Sequence, residues 1–144
     1  MTARYFADSN VLIYARDVVD VAKQQRTNLW LEFLWDTAAG RLSYQVLLET
    51  YAVLTARHKL HSEEARVYLA DFLAWHPMVL DWTVMQNAWQ VQDRYRLNWW
   101  DCMIVAAASM TDCDYLLTED LQHGQELDGI IVVSPFEVEP GAVQ

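Results

Sequence analysis

Apolar residues fall into short unbroken runs, separated by longer stretches in which they recur at helical spacing. Residues 4–7, 41–44, 78–80, 115–117 and 130–133 read as short buried strands. Between them, apolar positions three and four apart mark helices. One follows Asp8-Ser9-Asn10 to about Arg16, and a second runs from about Val18 to Ala39, with Gly40 as its stop. Further helices cover residues 45–59, 62–75, 84–96 and 99–110. Strands this short and apolar, alternating with helices, predict an α/β domain. Its core is a central parallel sheet of about five strands with helices on both faces. Residues 1–144 form one domain, because no linker, repeat or low-complexity segment interrupts the pattern. The tryptophans at 75, 82 and 89 are expected to pack.

In a parallel sheet, ligands bind beyond the carboxyl ends of the strands. That edge gives meaning to four acids. Asp8 ends the first strand, and Asp120 follows the fourth by three residues. Glu49 shares a helix face with Val46 and Val53, and Asp101 opens the helix that carries Ile104, Val105 and Ala108. Acids on core-facing segments are costly unless paired, hydrogen-bonded or bound to a cation.

Each acid also has an ordinary role open to it. Asp8 is in place to cap a helix, although Ser9 or Asn10 would serve as well. Asn98 and Asp101 have the spacing of a capping box. Glu49 sits where a carboxylate can reach water, and Glu119 rivals Asp120. Thr118, two residues before Asp120, can hydrogen-bond to the site acids or simply end a strand. Together the four match a Mg²⁺ site, because Mg²⁺ takes a few carboxylates, keeps waters and completes its shell with phosphate.

Charge narrows the options. The net charge is −10. Residues 1–70 hold eight bases and eight acids, residues 71–144 two and twelve, and no Lys or Arg follows Thr111. A general nucleic-acid coater would be basic, whereas an enzyme that meets phosphate through cations is allowed. Of the few bases, Arg57 and Lys59 after the Glu49 helix, and Arg94 and Arg96 before Asp101, are candidate nucleic-acid contacts or ordinary helix-end charges. Trp99 and Trp100 are in place to stack on bases, or to pack in a core or dimer interface. No apolar run is long enough to cross a membrane, and no signal peptide is read. Cys102 and Cys113 form no metal-type or CxxC pair, so reduced thiols in a cytoplasm are expected. No zinc spacing or serine-nucleophile context occurs. A haloacid-dehalogenase-type phosphatase needs a second Asp where Asn10 stands. A receiver domain needs a lysine near the fifth strand, and the last lysine is Lys59.

Five segments in order resemble PIN-domain nucleases: Asp8-Ser9-Asn10-Val11-Leu12-Ile13-Tyr14, Ser43 to Glu49, Trp99 to Ala108, Leu117 to Gly124, and Ile131 to Phe136. The compact size is similar to the VapC-type toxins of bacterial toxin–antitoxin pairs. The resemblance implies a Mg²⁺- or Mn²⁺-dependent endoribonuclease that hydrolyses RNA phosphodiesters by metal-activated water. It also implies a homodimer and an antitoxin partner that enters the active-site groove. By motif, Asp8, Glu49, Asp101 and Asp120 are the catalytic, metal-binding acids. Ser9, where many members have Thr, and Asn10 support them. Ser134 stands where Asn is common, with an expected effect on a turn. A catalytically silent binding module of the same fold, or a housekeeping RNase, are the alternatives.

Overall fold

The computed structural model describes residues 3–142. Its elements are β1 (Tyr5–Ala7), α1 (Ser9–Tyr14), α2 (Val21–Thr37), β2 (Gly40–Arg41), α3 (Tyr44–Ala56), α4 (Ser62–Asp71), α5 (Trp82–Tyr95), α6 (Trp99–Met110), β3 (Tyr115–Leu117), β4 (Glu126–Leu127) and β5 (Ile130–Val133). The sheet order is β2-β1-β3-β5-β4. Tyr5 pairs with Gly40 on one side and Tyr115 on the other, and Leu117 pairs with Val133. All residues of β1 and β3 are buried, so both faces of the sheet are covered. The largest fully buried side chains, Trp30, Phe6 and Phe72 among them, fill the layers on either side.

The chain leaves β1 to one side for β2 and later returns to the other side as β3. The gap between β1 and β3 is therefore the point where strand order reverses, which is where a crevice opens in such sheets. Asp8 and Thr118 are the first residues beyond those two strands.

The sheet is mixed rather than wholly parallel. β4 runs antiparallel to β5 through a two-residue turn at Asp128-Gly129, with φ of 53° and 83°. Positive φ at both positions is the primed hairpin turn that an Asp-Gly pair favours. The strand expected at residues 78–80 is reduced to one bridge between Ser43 and Met78. Pro77 brings no N–H, and Asp81 already caps α5 by accepting from the Val84 N–H at 3.1 Å. Helix α2 starts later than expected because Asp20 caps it, accepting from the Lys23 N–H. The expected helix over 62–75 ends as α at Asp71 and continues as a 3₁₀ turn over Phe72–Trp75.

Gly40 does not stop α2. Ala38 takes the left-handed position, with φ 55°, and Gly40 lies in β2 under the buried Trp75 ring. A Cβ on Gly40 would sit 2.7 Å from that ring. Gly40→Ala is expected to destabilise the protein by about 1–3 kcal/mol through overpacking, read from the urea midpoint. An unchanged midpoint would show that the indole shifts freely.

The three tryptophans expected to pack divide. Trp75 is buried, but Trp82 is 62% exposed and Trp89 39%. Trp82 meets Trp89 edge to face at 5.3 Å, and Trp89 stacks on Trp99 at 6.0 Å. Trp99 packs partly on the core, whereas Trp100 is largely exposed. Among the described residues, no helix is long and apolar enough to cross a membrane.

Candidate functional site

Asp8 gives its two carboxylate oxygens to two different contacts. It is the N-cap of α1: one carboxylate oxygen, Oδ1, accepts from the Ser9 N–H at 2.7 Å. Neither Ser9 nor Asn10 replaces it. The other oxygen, Oδ2, accepts from the Thr118 hydroxyl at 2.8 Å. The side chain is buried. Burial pushes its pKa up to about 7, against the lowering effect of the Thr118 and Ser9 hydrogen bonds, while the charges of Asp120 and Glu49 add to the rise.

Asn10 and Thr118 tie the first strand's acid to the fourth acid. The Asn10 amide donates to Thr118 Oγ1 at 2.9 Å and to Asp120 Oδ2 at 3.2 Å, with Asp8 Oδ2 at 3.5 Å. Thr118 Oγ1 also accepts from the Asp120 N–H at 3.1 Å. Its hydroxyl is thus saturated, which is why a fully buried Thr is tolerated there. Thr118→Val removes a donor to Asp8 and an acceptor for two groups. We expect a loss of about 1–3 kcal/mol in stability, measured by chemical denaturation. A neutral result would mean that water takes over all three contacts.

Glu119, the rival of Asp120, is engaged elsewhere. It forms an ion pair with Lys23 at 3.0 Å, and Lys23 also reaches the Tyr14 hydroxyl at 3.3 Å. The Lys23 ammonium lies over the Tyr14 and Phe136 rings. Asp120 is left exposed and faces the other acids.

Glu49 comes from the middle of α3 and is half-buried. Its Oε1 is buried without a hydrogen-bond partner. Its pKa is raised, first by burial and then by the charges of Asp101 and Asp120, with Gln45 opposing. Asp101 comes from the first turn of α6. Its N–H donates to Asn98 Oδ1 at 2.9 Å, and its carboxylate accepts from the Asn98 amide at 2.7 Å. The helix-capping role is therefore real. Burial and the charge of Asp120 nonetheless raise its pKa.

The four acids thus converge from β1, α3, α6 and the turn after β3, and they repel one another. Among the described residues no three carboxylates are already drawn together as a closed ligand set. Mg²⁺ does not need one, because it binds through one or two carboxylates and keeps waters and substrate oxygens. An all-oxygen donor set, an unpartnered buried Glu49 oxygen and mutual repulsion fit a hard divalent cation.

Gln45 was not anticipated. It is buried one turn before Glu49, and its amide donates to the Trp100 carbonyl at 3.1 Å, holding α3 against the start of α6. Its position four residues before Glu49 on a helix was the available signal. Lys23 was also missed, since nothing near residue 23 marks contact with residue 119. Of the four candidate RNA contacts, Arg94 is paired with Asp128, which Tyr95 also holds. It lies beside Ala106 and Ser109, toward the other end of α6 from Asp101. It does not flank the acids. Arg96 is the left-handed C-cap of α5. Arg57 and Lys59 are exposed beyond the end of α3. Ser134 does shape a turn, its hydroxyl accepting from the Phe136 N–H.

A sheet that reverses between β1 and β3, with acids gathered over that point, defines the class of protein. The PIN domain family model matches residues 5–125, and the chain belongs to that family. Similar solved structures include a toxin–antitoxin complex from Klebsiella pneumoniae, with TM-score 0.69 and 18% identity, covering 93% of this chain and 99% of that one. VapC20 of Mycobacterium tuberculosis, a toxin that cleaves the sarcin–ricin loop, has TM-score 0.59 and 18% identity, covering 78% of this chain and 86% of that one. VapBC2 of Rickettsia felis bound to a fragment of its promoter DNA has TM-score 0.58 and 16% identity, covering 89% and 96%. No curated protein matches the chain.

Proposed function

We propose that this PIN-domain protein is a Mg²⁺- or Mn²⁺-dependent endoribonuclease and the toxin of a type II toxin–antitoxin pair. The carrying observation is the meeting of Asp8, Glu49, Asp101 and Asp120 at the strand-order reversal, with raised pKa values at the first three. Asp8 and Asp101 are the central ligands, and Glu49 and Asp120 complete the shell. When bound, the cation supplies Lewis acidity at phosphoryl oxygen and a water of lowered pKa. The chain's own part is placement. Ser9 N–H and Thr118 fix both oxygens of Asp8. Asn10 holds Asp120 at a set distance from it, and Asn98 orients Asp101.

The similarity to a toxin–antitoxin complex and to VapBC2 supports an antitoxin partner, and exposed Leu48, Trp82 and Trp100 offer surface for a second copy in a homodimer. Buried free thiols at Cys102 and Cys113 suit a reducing cytoplasm. One observation favours a silent binding module: Asp101 is already satisfied by Asn98. Incubating purified protein with total cellular RNA separates the readings. Discrete fragments that form with Mg²⁺ or Mn²⁺ and not with EDTA are expected. Intact RNA under every metal, from folded protein, would favour the silent module.

A further inference from the structure

The acid centre raises a problem of charge, because an RNA strand reaching it meets a chain of net charge −10. Several of the described bases are engaged elsewhere. Lys23 pairs with Glu119, Arg94 with Asp128, and Arg26 with Glu139 and two carbonyls. Arg41 is bound to the carbonyls of Ala38 and Gly40. Against that background, Arg16, Arg57 and Lys59, with His58 and His61, line one concavity of about 400 Å³. Glu64 is the acid in its wall. It lies 3.9 Å from Arg16 and is largely exposed, so it offsets little. The neighbouring Asp17 is occupied by the N–H groups of Val19 and Asp20.

The concavity has a fixed relation to the acids. Both α1 and α3 start from the same edge of the sheet, after the parallel strands β1 and β2, and they pack on each other. Asp8 caps α1, and Arg16 lies eight residues further on. Glu49 lies in α3, and Arg57 is its C-cap, also eight residues on. At a rise of about 1.5 Å per residue, Arg57 is roughly 12 Å along α3 from Glu49, and Arg16 lies just past the end of α1, at the opposite end from Asp8. Both helices lead from the acids to the same basic hollow.

We propose that this hollow is a phosphate subsite, which holds the backbone of single-stranded RNA on one side of the bond cleaved at the acid centre. The inference rests on the ribonuclease reading above. Arg57 and Lys59 supply sequence-independent contacts, and Arg16 closes the wall nearest α1. The exposed Val18 and Val19 border it.

The test uses full-length protein carrying Asp101→Asn to prevent cleavage, and a fluorescein-labelled single-stranded oligoribonucleotide followed by anisotropy across a salt series. Arg57→Gln and Lys59→Gln are each expected to weaken binding about 3- to 10-fold at low salt. Each should also lower the slope of log K against log salt by about 0.7, the value for one phosphate contact on a single strand. Both side chains are exposed, so Tm should hold. Arg94→Gln should change neither quantity. In the cleavage-competent enzyme, with Asp101 intact, the same substitutions should raise KM and leave kcat nearly unchanged. Unchanged affinity and slope, while the parent binds RNA and the unmutated enzyme cuts it, would overturn the subsite and spare the ribonuclease reading. Retained RNA binding with lost binding of a poly-glutamate peptide would assign the hollow to a protein partner and also overturn it. A parent that neither binds nor cuts RNA would bring down both readings.

Discussion

Asp8→Asn and Asp101→Asn each lower RNA cleavage by about 10²–10³-fold or more, the scale at which a preorganised charge in an active site acts. The two replacements are nearly isosteric, so the fold is retained. Asn at position 8 keeps an oxygen for the Ser9 N–H, and Asn at position 101 keeps one for the Asn98 amide. What each removes is one negative charge from a group that stays together only against repulsion. Gel analysis of RNA fragments, with circular dichroism as a folding control, measures the loss. Glu49→Gln and Asp120→Asn should fall in the same direction by smaller factors, as they complete the shell. Retention of full activity in Asp8→Asn would remove Asp8 from the chemistry and leave it only its helix cap.

The same Asp8→Asn protein is expected to be more stable than the wild type at pH 8 when no divalent cation is present. An aspartate in the unfolded chain titrates near 3.8, and Asp8 in the folded chain near 7. Between those values the folded state binds the proton more tightly. Stability therefore falls as pH rises from about 4 to about 7, and returns as pH falls. At 1.36 kcal/mol per unit, the ceiling is about 4 kcal/mol. Asn is neutral throughout and escapes this cost. Its NH2 replaces the oxygen that accepts from the Thr118 hydroxyl and faces the Asn10 amide, so the net gain should be about 1–3 kcal/mol, or several degrees in Tm for a domain of this size. The gain should vanish at pH 4. Mn²⁺ should reverse the order: at 100 times its Kd it stabilises the wild type by about 2.7 kcal/mol and the variant much less. A variant less stable than the wild type at both pH values would show that Asp8 is carried comfortably as an anion, and that the site needs no cation to hold it.

The parts legible in the sequence were those where one signal had no competitor. Helix α6 begins and ends where its Asn98 cap and apolar run place it, and β3 and β5 coincide with unbroken apolar runs. Some misreadings depended on a partner distant in sequence. Nothing local shows that Trp75 occupies the space over Gly40. Asp128-Gly129 is a turn signal, but a strand of two residues beside it has too little pattern to be read as one. Trp82 and Trp89 follow helical spacing, yet the face they share turns outward. Around the candidate site, the places of Asp8 and Thr118 just beyond β1 and β3 were legible from the strand ends, whereas Glu49 and Asp101 lie on helices and were singled out by helix face and motif. The capping role of Asp8 and the diversion of Glu119 to Lys23 depend on contacts that span one residue and ninety-six, and spacing distinguishes neither.

If Asp8, Glu49, Asp101 and Asp120 hold a divalent cation, electron paramagnetic resonance of Mn²⁺ will register it. Free Mn²⁺ gives a six-line signal that weakens on binding. Titrating Mn²⁺ into wild-type protein at pH 8 should suppress that signal, while Asp8→Asn and Asp101→Asn leave most of it intact. A wild-type titration that overlays buffer alone up to millimolar Mn²⁺ would mean that these carboxylates hold no such cation.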